Sequence, residues 1–492
     1  MLLIKIDLKK DQPIYKQITG EIISMIEKDI LKPETILPSS RNLALKLGIN
    51  RSTVIKAYEE LWSLGYTESS AGSYTRVRNR LQIATKDNKK EKGIINWDKS
   101  TSEASNIIYK SFRIHKSQHK QNNKKNIVDF SRLIMDNRLF PVDNFRRSIN
   151  KVLTTINSSF LNYGDGAGYY PLREFISERF QLHNINVSPE EILITNGAQQ
   201  GIDLLLRLFT SQGKSIAIES PTYSMALPLF KYYQIKIIGI PMKPEGLDLK
   251  YFRNVLKKEK PVFLYTIPNF HNPTGISTSQ THREELISIC EKNRIPIIED
   301  GFEEEMKYSG KIILPIKSMD KNQIVIYLGT FSKVLFPGIR IGWIAAEKEC
   351  IQRILAIKRF TDLSSNALQQ AALYEFCKEG YYDLHIKKMQ RIYSKRMQAA
   401  LKALQKFIPK EKSEWTKPSG GYLIWIKIKN LKNENRNNLL NIMNYNGVHA
   451  ESGDSFFLSK NKEMYYRLSI STLNEEEIYK GIKNLGTAIK QF

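Results

Sequence analysis

The chain of 492 residues holds only three cysteines, at 290, 350 and 377, and seven histidines. None stands at the paired spacing that a disulfide framework or a zinc site requires, so a reducing compartment, the cytoplasm, is expected and no metal. Long hydrophobic runs are missing too. The opening MLLIKIDLKKDQ is too short and too interrupted for a signal peptide, and no later segment approaches a membrane span. Acidic residues are scarce, 50 against 75 Lys and Arg, which leaves a formal charge of +25 and favours polyanionic partners. The excess is densest from 86 to 125, with 11 Lys and Arg to 4 Asp and Glu, although the whole chain is basic. The remainder is ordinary for a soluble globular protein, 41% hydrophobic and 25% charged. The length admits roughly three units at ~150 residues each.

Three regions follow from patterning. Residues 1–80 alternate short helical patterns with turn signals. Residues 81–126 are rich in Lys, Asn, Ser and Gln, with few periodic apolar positions, and read as a mobile basic linker on which SFRI is an isolated apolar cluster. From 127 to 492, the apolar runs EILIT, SIAIES, KIIGI, VFLYTI, IPIIED and IVIYLGT alternate with helical segments. That alternation predicts a largely parallel sheet covered by helices.

In LPSSRNLALKLGINRSTVIKAYEELWSLGYTESSAGSYTRV, Pro38 and Ser39 or Ser40 open a helix that buries Leu43 and Leu47, and Gly48 breaks it. A second helix places Val54, Ala57, Tyr58 and Leu61 at the i, i+3, i+4, i+7 spacing of one buried face. Arg51, Ser52, Thr53 and Lys56 lie on its other side, with Arg41 from the preceding helix. These are the donors that reach base edges and phosphates when a recognition helix enters the major groove. GYTESSAGSYTRV then reads as a hairpin wing with Gly72 at its tip and Arg76 on its flank. A three-helix packing module that binds protein is the bland alternative. The run resembles the winged helix of the GntR family, and the resemblance implies that Arg41, Arg51, Ser52, Thr53 and Lys56 contact double-stranded operator DNA, with Gly72 at the minor-groove edge. Tyr74 departs from the glycine that many members carry in the wing.

SKVLFPGIRIGW, residues 332–343, sets Lys333 in an almost wholly apolar run. A desolvated lysine is a nucleophile suited to Schiff-base chemistry, although most such lysines merely snorkel from a strand end. The neighbours decide between these. Asp300 ends the apolar strand IPIIED, at the ligand edge of an α/β sheet. Gly197, Ala198 and Gln199 in TNGAQQGID present backbone N–H groups where a helix begins, which is a phosphate site. Asn272 in PNFHNPTG offers a donor, Tyr223 in ESPTY an aromatic ring, and Thr330, Ser332 and Arg340 flank the lysine. Arg467 in YYRLSIST suits a carboxylate in bidentate fashion.

In this order, YGDGAGYYPLREFI, TNGAQQGI, SPTY, NPTG, EDG, GTFSKVLFPGIRIGW and YRLS resemble the landmarks of the fold-type I, class I/II aminotransferases. The resemblance implies a mixed, mostly parallel sheet with helices on both faces and a smaller α/β subdomain. It also implies pyridoxal 5'-phosphate in Schiff-base linkage to Lys333, Asp300 against the ring nitrogen, Asn272 on the phenolic oxygen, and Arg467 on a ligand carboxylate. The remaining residues named above would complete the cofactor site, within a homodimer. Joined to the winged helix by a long linker, the whole is similar to the MocR/GabR transcriptional regulators, which implies a cytoplasmic regulator that senses an amino acid, an amine or the cofactor. One departure stands out. Where this group typically has EDDYD, the chain has EDGFEEE, and Phe302 cannot donate to the phenolic oxygen, so at most residual or half-reaction transamination is expected. The alternatives are a working aminotransferase with a DNA-binding arm, and a scaffold that has lost its cofactor.

Overall fold

The computed structural model describes residues 4–7, 11–69, 74–79, 95–121, 127–155, 162–302, 304–310, 313–429, 436–459 and 461–491. The chain forms two compact units, Met1–Trp97 and Asp98–Phe492. Among the described residues, no helix is long and apolar enough to cross a membrane.

The first unit packs the helices Ile14–Glu27, Ser40–Leu47 and Arg51–Ser63 with the two-stranded hairpin Thr67–Glu68 and Arg76–Val77. Ser39 caps the second helix by accepting from the Asn42 amide at 3.2 Å, and Gly48 ends it in the left-handed conformation only glycine adopts cheaply (φ 66°). Asn50 caps the third helix in the same way. Val54, Ala57, Tyr58 and Leu61 are all buried, as their spacing predicts, against Ile18, Ile22, Leu43 and Val77. Gly72, the expected wing tip, lies outside the described residues.

The second unit is built on an eight-stranded sheet. Its strands run in the order Ile192–Thr195, Gly342–Ala345, Val325–Thr330, Ile297–Asp300, Leu264–Thr266, Ser215–Ser220, Lys236–Lys243 and Gly246–Leu247. Pairing is parallel from Val325–Thr330 through Lys236–Lys243, while Gly342–Ala345 and Gly246–Leu247 run antiparallel to their neighbours. The expected mixed, mostly parallel sheet is therefore present. The antiparallel return explains the company of Lys333. Val325–Thr330 leaves the sheet, the chain turns, and Gly342 comes back opposite Thr330. The apolar residues Val334, Leu335, Ile339 and Ile341 fill the core beneath the turn, and Lys333 stays half-buried at the ligand edge.

A smaller antiparallel sheet of Ser413–Trp415, Leu423–Ile428, Met464–Ser469 and Glu451–Ser452 packs with the helices Tyr381–Phe407 and Glu475–Lys490. Beside it, Val128–Asp129 pairs in parallel with Val448–His449.

The stretch that reads as linker carries more structure than its composition suggests. The helix Glu103–Gln121 lies against the helix Ala226–Tyr232. Ala104, Ile107, Ile108 and Ser111 are half-buried at i, i+3, i+4, i+7, a short apolar face diluted by Lys, Asn and Gln, whereas Tyr109 and Phe112 are exposed.

Candidate functional site

Four strands of the parallel core, Ser215–Ser220, Leu264–Thr266, Ile297–Asp300 and Val325–Thr330, deliver groups at or just beyond their C-terminal ends, and the edge strand Ile192–Thr195 leads into Ala198 and Gln199. Ala198, Gln199, Tyr223, Asn272, Asp300, Phe302, Thr330, Ser332, Lys333 and Arg340 line one cavity of about 140 Å³. Segments more than a hundred residues apart thus meet at one point. Gly197 lies just outside that lining, at the N-cap of the helix Ala198–Phe209. Its φ of 89° favours glycine there, and the Arg340 guanidinium lies 2.8 Å from where a Cβ would stand. Arg340 is held in place by the Asn196 carbonyl, which accepts from Nη2 at 2.8 Å. A cation and the N-terminal amides of a helix therefore converge on one spot, as an anion requires.

Asp300 is buried at the end of its strand. Its Oδ2 accepts from the Tyr265 hydroxyl at 2.6 Å, while Oδ1 is buried without a hydrogen-bond partner among the described residues. Burial pushes this carboxyl up to about 6, against the pull of the Tyr265 hydroxyl. Tyr223 is pushed up to about 12 by burial, so it is a neutral ring in the cavity. Ser332 Oγ is likewise buried with no partner among the described residues. Buried orphans of this kind are costly unless a ligand completes them.

Asn272 is oriented by Arg467, whose Nη1 donates to Oδ1 at 3.1 Å. With Oδ1 so used, the amide Nδ2 is the end left to donate into the cavity. Arg467 does not line the cavity itself. It is buried behind Asn272, with its guanidinium 4.9 Å from the ring centre of Phe456. Lys333 Nζ donates to the Leu133 carbonyl at 2.7 Å. The donor set fits a planar cofactor with a ring nitrogen, a phenolic oxygen and a phosphate. Asp300 Oδ1 would meet the first, Asn272 Nδ2 the second, and Gly197, Ala198, Gln199, Ser332 and Arg340 the third, with Lys333 as the amine.

Sequence reasoning missed three supports. Tyr265 is one. Glu219 is another, buried at the end of Ser215–Ser220, where it accepts from Thr266 Oγ1 at 2.5 Å and the Ile267 amide at 2.9 Å. His271, the third, sets Nε2 3.1 Å from the same carboxylate, which pins the loop that carries Asn272. The available signals were polar residues in or at the ends of apolar runs, Tyr265 inside VFLYTI and Glu219 near the end of SIAIES.

Phe302 also lines a second cavity of about 50 Å³, shared with Thr330 and bounded by Arg179, Glu304, Glu305, Tyr327, Trp343 and Tyr382. A Cβ on Gly301 would lie 1.9 Å from the Tyr327 hydroxyl, which donates to Glu304. The EDG of this chain thus makes room for a tyrosine behind the site rather than presenting one in it. Burial pushes Glu304 up to about 8.

In the first unit, Arg41, Arg51, Ser52 and Lys56 are exposed and Thr53 is half-buried. Arg51 Nε donates to Ser40 Oγ at 3.3 Å, Ser52 Oγ donates to its own cap residue Asn50 at 2.9 Å, and Lys56 Nζ lies 4.3 Å from the Tyr15 ring centre. These contacts hold a polar stripe along the start of the third helix.

Residues 133–485 match the family Aminotransferase class I and II, and residues 14–77 match the gntR family of bacterial regulatory proteins. The chain is 33% identical over 482 residues to the uncharacterized HTH-type transcriptional regulator YdfD of Bacillus subtilis, covering 98% of this chain and 97% of that one. It is 36% identical over 361 residues to aromatic-amino-acid aminotransferase 1 of Thermococcus litoralis, covering 72% of this chain and 85% of the enzyme. The crystal structure of the multiple substrate aminotransferase from Thermococcus profundus superposes with a TM-score of 0.76 at 31% identity, over 81% of this chain and 99% of that one. Fold and site thus define a class: a helix-turn-helix DNA-binding domain fused to a fold-type I aminotransferase domain, whose cofactor is pyridoxal 5'-phosphate. The chain belongs to the MocR/GabR-type regulators, which share this arrangement.

Proposed function

We propose that the chain is a transcriptional regulator in which residues 127–492 bind pyridoxal 5'-phosphate at Lys333 and sense an amino-acid or amine effector. In this reading, residues 1–80 bind a double-stranded operator through Arg41, Arg51, Ser52, Thr53 and Lys56, and residues 81–126 join the two. When bound, the cofactor supplies an aldehyde that captures a primary amine covalently. The chain's own residues do the rest. Asp300 would hold the ring-nitrogen proton, Asn272 would donate to the phenolic oxygen, the Gly197–Arg340 cradle would take the phosphate, and Arg467 would take the effector carboxylate. The observation that carries the reading is the convergence of Asp300, Asn272 and Lys333 on one cavity, with Asp300 Oδ1 left without a partner among the described residues.

For such a site to control DNA binding, the effector must bind two conformations with different affinity. A homodimer, usual for this fold, would present two winged helices to two half-sites, so a change between protomers would alter their spacing on DNA.

The test is an absorption spectrum of the protein with pyridoxal phosphate, followed through additions of single amino acids and amines, beside operator binding under the same conditions. A band that shifts with one class of amine and stays shifted, together with a change in operator affinity that Lys333→Ala abolishes, is expected. An unaltered operator response in Lys333→Ala would remove Lys333 from the sensing step.

The pairing of Arg467 with Asn272 favours a second reading, a functioning aminotransferase with an accessory DNA-binding arm. Repeated turnover with a keto-acid acceptor would select it.

A further inference from the structure

Three consecutive backbone carbonyls of one segment accept from side chains in or beside the site. Ser131 O accepts from Arg467 Nη2 at 2.7 Å, Arg132 O from Ser471 Oγ at 3.1 Å, and Leu133 O from Lys333 Nζ at 2.7 Å. Two of the three donors are the cations assigned above to the effector carboxylate and to the cofactor.

The segment is pinned on both sides. Before it, Val128–Asp129 pairs with Val448–His449. After it, the buried carboxylate of Asp136 takes Arg396 Nη2 at 2.6 Å and Arg138 Nε at 2.9 Å. Between these anchors the Leu133 side chain packs against both large hydrophobic clusters of the domain. Upstream, the chain leads through residues 122–126 to the helix Glu103–Gln121 and on toward the DNA-binding unit.

We infer that residues 131–133 are an internal strap that holds the donors of the effector site, and that its release carries the signal into the linker. The inference rests on the reading of Lys333 and Arg467 given above.

The chemistry makes the occupants compete. When Lys333 condenses with an aldehyde, its nitrogen gives up two hydrogens that leave with the carbonyl oxygen as water, and a C=N bond replaces them. Nζ then has at most one hydrogen, and Leu133 O loses its donor. An effector carboxylate is a stronger acceptor than a peptide carbonyl and takes a guanidinium edge in bidentate fashion, so it draws Arg467 from Ser131 O. A buried carbonyl without a donor is unfavourable, which drives the segment to a second position. Leu133 touches both clusters, so that movement has to repack the domain rather than one loop.

Ile134 is 43% exposed and Phe112 is 56% exposed, whereas Cys290 and Cys377 are buried. A nitroxide can therefore be placed on Ile134→Cys, or on Phe112→Cys in the linker helix, in a Cys350→Ser background of the full chain. Electron paramagnetic resonance is recorded for the ligand-free chain, with pyridoxal phosphate, and with pyridoxal phosphate plus L-alanine, with absorbance read on the same samples. Label mobility at 134 is expected to rise at least twofold on cofactor loading. With L-alanine, Lys333 leaves as a free amine able to donate to Leu133 O again, while the carboxylate draws Arg467 from Ser131 O. Mobility should therefore change once more and stay above the ligand-free value, and the label at 112 is expected to respond with it. Ser471→Ala and Lys333→Ala should each raise mobility at 134 without any ligand, and Lys333→Ala should cancel the further response to cofactor.

A Lys333-dependent absorbance band without a change at 134 overturns the strap while leaving the cofactor reading intact. Movement at 134 with a silent label at 112 overturns the transmission to the linker. If no band forms, the cofactor reading fails on its own, and the strap is judged by the ligand-free variants. Unchanged mobility at 134 in both Ser471→Ala and Lys333→Ala then overturns it.

Discussion

Nη1 of Arg467 donates to Oδ1 of Asn272 over 3.1 Å and so ties the smaller sheet to the loop that follows strand Leu264–Thr266 of the large one. One bond does two things. It fixes which end of the Asn272 amide faces the cavity, and it holds rigid the guanidinium proposed above for the effector carboxylate. A lysine there would bring a point charge without the fork that reaches Asn272 and Ser131 at once. Arg467→Lys should therefore need at least tenfold more of a carboxylate-bearing effector to shift the absorbance of the loaded protein, with simple amines unaffected. Equal losses for both would place Arg467 elsewhere in the mechanism.

Asp300 Oδ1 awaits a partner, and its carboxyl, pushed up to about 6, is charged at pH 7.5. Asp300→Asn removes the charge and keeps the shape. Hydrogen bonds to charged groups contribute ~1.5–3 kcal/mol, so pyridoxal phosphate should bind roughly 10- to 100-fold more weakly, as read by titration of its absorbance at pH 7.5. Undiminished affinity would remove Asp300 from the ring-nitrogen role.

Phe302 lines the cavity with nothing to donate. Phe302→Tyr restores a hydroxyl at that wall. If the missing donor is what limits catalysis, single-turnover amine transfer should speed up by about tenfold, within the range that positioned hydrogen bonds supply. A faster rate supports the regulator as a disabled relative of the enzymes. An unchanged rate places the limit elsewhere.

Glu304 is pushed up to about 8 by burial, from an ordinary value near 4.5. Between those values the unfolded chain releases a proton that the folded chain keeps, so the contribution of Glu304 to stability is fully present below about 4.5 and falls as pH rises toward 8, by up to about 1.4 kcal/mol per unit. Glu304→Gln cannot ionise. Its melting temperature should fall less between pH 5.5 and 8 than that of the parent chain. Parallel curves would mean that Glu304 ionises freely.

Arg51 is exposed at the start of the third helix and steadied by Ser40. Arg51→Ala should weaken specific operator binding by ~1–3 kcal/mol while changing non-specific binding far less, as read by gel shift at fixed salt. Equal loss on both kinds of DNA would make Arg51 a phosphate contact.

Local rules carried much of the architecture. Ser39, Gly48 and Asn50 bound the helices of the first unit because caps and left-handed glycine are properties of a few adjacent residues. Val54, Ala57, Tyr58 and Leu61 declared a buried face through spacing alone, and the apolar runs from EILIT to IVIYLGT became strands for a similar reason. Asp300 and Lys333 were legible because a charge at the end of, or inside, an apolar run is locally anomalous. The helix Glu103–Gln121 escaped notice because its periodic face, Ala104, Ile107, Ile108 and Ser111, carries only two large apolar residues against a polar background.

What the sequence by itself determined, then, was where most helices and strands begin and which residues stand out against their local pattern, since both depend on near neighbours along the chain. Only the tertiary structure decided that Tyr265 donates to Asp300, that Arg467 orients Asn272, and that the carbonyls of Ser131 and Leu133 accept from Arg467 and Lys333. Those relationships join residues 35, 195, 336 and 200 positions apart, and a backbone carbonyl has no side-chain signature at all. Spacing rules end within a few turns of helix or a few residues of strand, and beyond that reach only packing selects which groups meet.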